Sequence, residues 1–292
     1  MRNCFVVLLL MHAATSAAQD RPLPEIEPFI KEVRERLQTD RTLQTNYMYV
    51  ETRRELTLDK QGRTTGVSEK VFESYPGFPG EPRWERLIAE DGTPVPAEKL
   101  EEGDRRRQKK AESYARRLQD HPDKERELQR RLQKEAEEQA SEVVADIFRV
   151  YEIRMLRREM VDDHPTIAFS LTPRRDPKPR TREGRDMRHF SVTAWVSESE
   201  FELVRFELVA IHTVKMGLGV GLFARLHKGA SLTFVRRKIN GEVWLPATSV
   251  YEASARLGLV KTVRQRGESE FTNYRKFTVD TQSSFVPPPV KP

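Results

Sequence analysis

Five histidines lie beyond the first twenty residues, at His121, His164, His189, His212 and His227. A transition-metal site needs several imidazole, thiolate or carboxylate donors converging on one point, and its usual mark in sequence is a pair of histidines one helical turn apart. These five stand singly, so each reads as a surface or turn residue, and neither a metal nor any other cofactor is expected. Asp162-Asp163-His164-Pro165 sets two carboxylates beside an imidazole, the ingredients of acid–base catalysis. Neighbouring side chains in a tight turn diverge, however, and Asp-rich turns before proline are ordinary structure. No Gly-x-Ser-x-Gly elbow is present to hold a serine nucleophile. The glycines of "MGLGVGLFARLHKG" alternate at Gly217, Gly219 and Gly221, whereas a phosphate loop would close on Gly-Lys-Ser/Thr and a dinucleotide loop has another spacing. The chain is therefore expected not to be an enzyme.

Two stretches retain a binding role. The glycine-rich segment reads as a bent strand or, alternatively, as a lip displaying Leu222 and Phe223 at a cavity mouth. From Pro173 to Arg188 the chain carries seven Arg or Lys and three acids, among them Arg174, Arg175, Lys178, Arg180 and Arg182. Aromatics are missing from this run, which disfavours nucleic acid, and its prolines argue against regular structure. It reads as a solvated loop whose five named cations are candidates for anionic headgroups in transient contact with a membrane surface, each worth about 1 kcal/mol there before screening.

Where such a surface would be met follows from the first residues. "MRNCFVVLLLMHAATSAA" has a basic start, a short apolar run and small residues before Gln19, the layout of a cleaved secretory leader over 1–18. Its apolar run is far below the roughly 20 residues that span a bilayer. Periplasmic export is the expectation, and removal of the leader takes with it Cys4, the only cysteine. In that setting the net charge of +6 and pI near 9.4 favour lipid headgroups and surface polysaccharides over nucleic acid as polyanionic partners.

The elements that must position these residues are legible from periodicity. Ile26, Phe29, Ile30, Val33 and Leu37 recur at three and four, an amphipathic helix opened by Pro22 and Pro24. From Asn46 the period becomes two, giving a β-meander through "NYMYVETRRELTL", a run to Tyr75 and "PRWERLIAEDG". Between Glu98 and Glu138 about three residues in five are charged, yet Leu128, Leu132, Ala136, Ala140, Val143, Ile147 and Phe148 form a helical stripe. Pro122 divides this region into a helical hairpin, about 97–119 and 123–150, read as a solvated insertion projecting from the sheet edge or as an arm for an envelope protein partner through 98–138. Strands then resume. Phe190, Val192, Ala194 and Val196 alternate before "SESE", and Val204, Phe206, Leu208 and Ala210 after it; Asn240-Gly241 is the strongest hairpin signal. About nine or ten antiparallel strands in sequence order are expected, curling into part of a barrel, with a last strand near 262–280 and a proline-rich tail at 286–292.

The segment "TAWVSESEFELVRFEL", an aromatic-Val pair before a polar turn and a strand with Val-Arg-Phe, resembles the stretch of the LolA-like (lipoprotein-localisation factor) superfamily in which Trp-Val-Asp-Pro precedes a strand carrying Leu or Val and Arg. "NGEVWLPA" and "FTNYRKFTV" are similar to exported relatives of that superfamily. The resemblance implies an α+β fold: a curved antiparallel β-meander forming an open half-barrel, helices on its concave side, and an apolar cavity between them. It also implies carriage of lipoprotein acyl chains or sensing of envelope components. On that expectation residues 19–285 form one domain that sequesters a lipid acyl chain or lipoprotein against Phe190, Val192, Trp195, Val204, Phe206, Leu222 and Phe223. The competing reading is a non-catalytic envelope scaffold or sensor acting through the hairpin.

Overall fold

The computed structural model describes residues 21–44, 46–217, 223–257 and 261–276. The expected leader, Leu222, the end of the expected last strand and the proline-rich tail lie outside them. Helix α1 (Ile26–Gln44) is followed by β1 (Tyr47–Leu58), β2 (Thr64–Tyr75), β3 (Trp84–Glu90) and a two-residue β4 (Thr93–Pro94). The helical hairpin α2 (Ala97–Asp120) and α3 (Pro122–Val150) comes next, its arms separated by His121 alone. Then come β5 (Tyr151–Val161), β6 (His164–Pro173), a short α4 (Arg182–Met187), β7 (Phe190–Ser197) and β8 (Leu203–Ala210). Strands β9 (Val214–Gly217), β10 (Phe223–Leu226), β11 (Ser231–Ile239), β12 (Val243–Leu257) and β13 (Lys261–Lys276) complete the described chain.

Local chemistry explains the strand joints. Asp91-Gly92, Asp162-Asp163 and Asn240-Gly241 each put two successive residues at positive φ, between 46° and 75°. This is the turn whose twist matches that of paired strands, and Asp and Asn enter the left-handed region more readily than other side chains. The two aspartates of the candidate acid–base tetrapeptide thus form an exposed hairpin turn.

The strands form one 13-stranded sheet in the order β4-β3-β2-β1-β13-β12-β11-β8-β7-β6-β5, with β9 and β10 off this path. Three expectations are corrected here. The strand count rises because β4, β9 and β10 are only two to four residues long, too short to show a period. Sequence order also wraps: β1 pairs with β13 from Tyr47↔Lys276 to Leu58↔Arg264, so the first and last strands are neighbours in the middle of the sheet. The sheet is open, an α+β half-barrel, and its free ends are the β4 and β5 sides. The hairpin leaves from β4 and returns into β5. It therefore runs from one free edge to the other instead of projecting from one edge.

Hydrophobic packing lies on both sides of β5–β8. Phe29 and Val33 of α1 join Ile167, Phe169 and Val196 on the helix-covered face. Val161, Ala168, Trp195, Val204 and Trp244 form a second buried cluster. Ala168 and Trp195 are cross-strand partners lying between Ile167–Val196 and Phe169–Ala194, so they point to the opposite face. The hairpin has its own contact: Ala111 and Tyr114 of α2 pack on Phe78, from the β2–β3 connection. Its outer surface carries pairs four apart, such as Glu101–Arg105 and Lys134–Glu138, worth only tenths of a kcal/mol each.

Candidate functional site

Alternation along three adjacent strands builds an apolar floor. Leu171, Val192 and Leu208 form one cross-strand row, Phe169, Ala194 and Phe206 the next, and Ile167, Val196 and Leu203 a third. Ala194, the smallest of these, sits between two phenylalanines and leaves a hollow. The roof is helical: Ile30, Val33 and Leu37 of α1, spaced to share one side, and Ile147 and Phe148 from the last turn of α3. Ile153 and Met187 complete a groove of about 300 Å³. The one lining side chain with an N or O atom is Tyr151, and its hydroxyl donates to the Met187 carbonyl at 2.8 Å. Burial pushes that phenol up to about 12, so it stays neutral. The lining thus offers hydrocarbon contact and no free charge.

The residues expected from sequence to face a ligand divide between the two faces. Val192 and Phe206 line the groove. Phe190 pairs with Ala210 and shares the parity of Val192, but stands beyond the lining. Trp195 and Val204 are in the buried cluster of the opposite face. Trp195 falls there by simple alternation; its indole N–H donates to Glu159 at 3.1 Å, and the Arg205 guanidinium lies 4.7 Å from its ring. Val204 falls there because of an irregularity: Trp195 pairs with Arg205 but Val196 with Leu203, which leaves Val204 as an extra residue. Such a bulge reverses the parity of the strand, and Leu203 takes the groove position that alternation assigns to Val204. Phe223 stands in β10 opposite Gly217, in a hairpin alongside β12.

The five headgroup candidates, Arg174, Arg175, Lys178, Arg180 and Arg182, are all exposed. Their segment is more ordered than its prolines imply. The Thr181 hydroxyl accepts the Gly184 N–H at 2.9 Å and caps α4, so regular structure resumes three residues after Pro179. A fully buried carboxylate holds this cap. Asp146 of α3 accepts from the backbone N–H groups of Arg180 and Thr181 at 3.0 and 2.7 Å, from the Thr181 hydroxyl at 2.7 Å and from Arg149 at 2.9 Å. Burial alone would raise its pKa, but these donors prevail and hold it down at about 2. Gly184 is required opposite it: a Cβ there would lie 2.2 Å from an Asp146 oxygen. The latch sets Met187 at the groove and fixes the basic segment beside it. Sequence reasoning missed it because partners 34 and 35 residues apart leave no local signal.

The histidines remain scattered. His164 packs edge-on against Trp244 at 4.8 Å, and the rings of His189 and His212 are 6.5 Å apart. Among the described residues no group of three or more His, Cys, Asp or Glu is placed to hold a metal, and no helix is long and apolar enough to cross a membrane.

No family model and no curated protein matches the sequence. Solved structures similar to the chain include a LolA superfamily protein from Nitrosomonas europaea, 11% identical, covering 85% of this chain and 93% of that one with a TM-score of 0.29. A DUF1329 family protein from Desulfovibrio piger is 11% identical, with 89% and 98% covered and a TM-score of 0.29. The MucA/MucB complex of Pseudomonas aeruginosa gives 8% identity, 86% and 99% coverage and a TM-score of 0.23. A protein of the superfamily that the sequence resembles is among these matches. Overlaps this loose say nothing of cargo.

Proposed function

We propose that the protein is an exported, non-catalytic binding protein of the periplasm that sequesters a lipid acyl chain, free or on a lipoprotein, in the groove between α1, α3 and β5–β8. The observation that carries this reading is the chemistry of the lining: sixteen residues, all apolar save a tyrosine whose hydroxyl is already used. A hydrocarbon chain matches such a wall because it asks for no hydrogen bond in return. Each buried methylene contributes about 0.8 kcal/mol, so ten would supply about 8 kcal/mol against an association cost of several kcal/mol. Candidate lining residues are Val192, Ala194, Val196, Leu203, Phe206 and Leu208, with Met187 at one border. The exposed Arg174, Arg175, Lys178, Arg180 and Arg182 are candidates for the headgroup side of the same encounter, because the Asp146 latch holds their segment next to the groove.

The test is lipid extraction and mass spectrometry on protein purified from its native envelope, in parallel with Ala194→Trp. The wild type is expected to release an acyl species. The variant, whose indole fills the hollow between Phe169 and Phe206, is expected to stay folded and arrive empty. A wild type that is empty but carries a stable protein partner through residues 98–138 would replace the carrier with a scaffold.

A further inference from the structure

We propose that the cleft between β3 and α2 is a second binding site, taking a phosphate or phosphate-ester group at Arg107 with the ligand's apolar part along Trp84 and Leu87. It does not depend on the acyl-chain reading, since none of its lining residues belongs to that groove. The cleft is large, about 800 Å³, and its α2 wall presents Lys99, Gly103, Arg106, Arg107 and Lys110. Spacings of four, three, one and three put these on one side of the helix, with the glycine opening space among four cations.

Most other charges in the cleft are already committed. Arg86 is buried between Glu73 at 2.9 Å and Asp104 at 2.8 Å. Lys110 pairs with Glu81 at 3.0 Å, and Glu85 lies 3.4 Å from Arg53. Arg83 donates to Ser74 and to the Tyr47 carbonyl. Arg107 differs: it is only 8% exposed, yet among the described residues it has no carboxylate within salt-bridge distance. Its Nη2 donates to the Pro76 carbonyl at 2.8 Å, its Nε finds no partner, and its guanidinium lies 3.9 Å from the centre of the Phe78 ring. Burial pulls its pKa below the usual arginine value, opposed by the charge of Glu81. A buried cation without a counter-ion is costly, and an anion arriving from the cleft removes that cost. Guanidinium geometry suits phosphate oxygens, and the partly buried Trp84 and Leu87 give an attached apolar group a surface to lie on.

The experiment follows thermal unfolding of the full chain against sodium phosphate at constant ionic strength, and sedimentation with vesicles of phosphatidylglycerol or of phosphatidylcholine alone. Phosphate is expected to stabilise the wild type saturably. Arg107→Gln should weaken this response about tenfold or more, the effect of losing charge-assisted hydrogen bonds. Because Arg107 is buried, the decisive variant is Gly103→Leu. A Cβ at Gly103 meets no atom within 4 Å, so a side chain starts into open space at the cleft wall while helix propensity improves. It should fold and lose the response, whereas Arg116→Gln, which removes the same charge as Arg107→Gln but at an exposed position outside the cleft, should keep it. Response to both phosphate and phosphatidylglycerol vesicles, lost in Gly103→Leu, identifies a lipid headgroup. Response to inorganic phosphate alone identifies a soluble phosphate ester. No saturable response to either, or an unchanged response in Gly103→Leu, overturns the proposal.

Discussion

Replacing Asp146 with alanine removes the acceptor of four donors: two backbone N–H groups, the Thr181 hydroxyl and the Arg149 guanidinium. Hydrogen bonds to a charged group are each worth about 1.5–3 kcal/mol net, but four on one carboxylate do not add, and breaking a buried charge network typically costs about 3–5 kcal/mol. In a domain of this size that lowers Tm by about 10 °C. Asp146→Asn should be milder, because its amide keeps one accepting oxygen while turning an NH2 toward donors. Gly184→Ala attacks the same contact from the other side, driving a Cβ to 2.2 Å from the carboxylate oxygen. Thermal unfolding measures the loss, and hydrogen exchange at residues 180–187 locates it: those amides should exchange faster in all three variants, ahead of the strands. If Asp146→Ala lies within about 1 kcal/mol of the wild type, or exchange in that segment is unchanged, the latch does not hold α4 and the argument fails.

The same carboxylate predicts a pH dependence. Its folded-state pKa of about 2 is below the ordinary 3.8, so its contribution is present above pH 3.8 and is lost as pH falls toward 2. Denaturation between those limits should show a slope in the wild type that is missing in Asp146→Asn; equal slopes would contradict the assignment. Trp195→Ala empties a buried site on the face opposite the groove and should cost about 3–5 kcal/mol while leaving acyl-chain affinity at the temperature of assay unchanged. A large loss of affinity in protein that remains folded would place Trp195 at the ligand instead.

Much of the architecture was legible in local pattern. The stripe Phe29, Ile30, Val33, Leu37 predicts α1, Pro122 marks the break of the hairpin, and Asn240-Gly241 becomes the turn it signals. Three features were hidden because each depends on residues distant in sequence or on an exception to period. The pairing of β1 with β13 is set by the whole sheet. The bulge at Val204 moves the groove position to Leu203, and no residue type announces it. Asp146 sits in a charged helix like many other acids, and only the fold brings Thr181 to it. For the candidate site, the β7 positions Val192, Ala194 and Val196 follow from alternation, and the same alternation turns Trp195, expected at the ligand, to the opposite face.

The most direct measurement of the central claim is the affinity of the purified protein for a series of saturated fatty acids of increasing length. If the groove holds hydrocarbon, affinity should rise about fourfold per added methylene until the hollow is filled and then level off, and Ala194→Trp should bring the levelling to shorter chains. Affinity that does not change with chain length in the wild type would contradict the account.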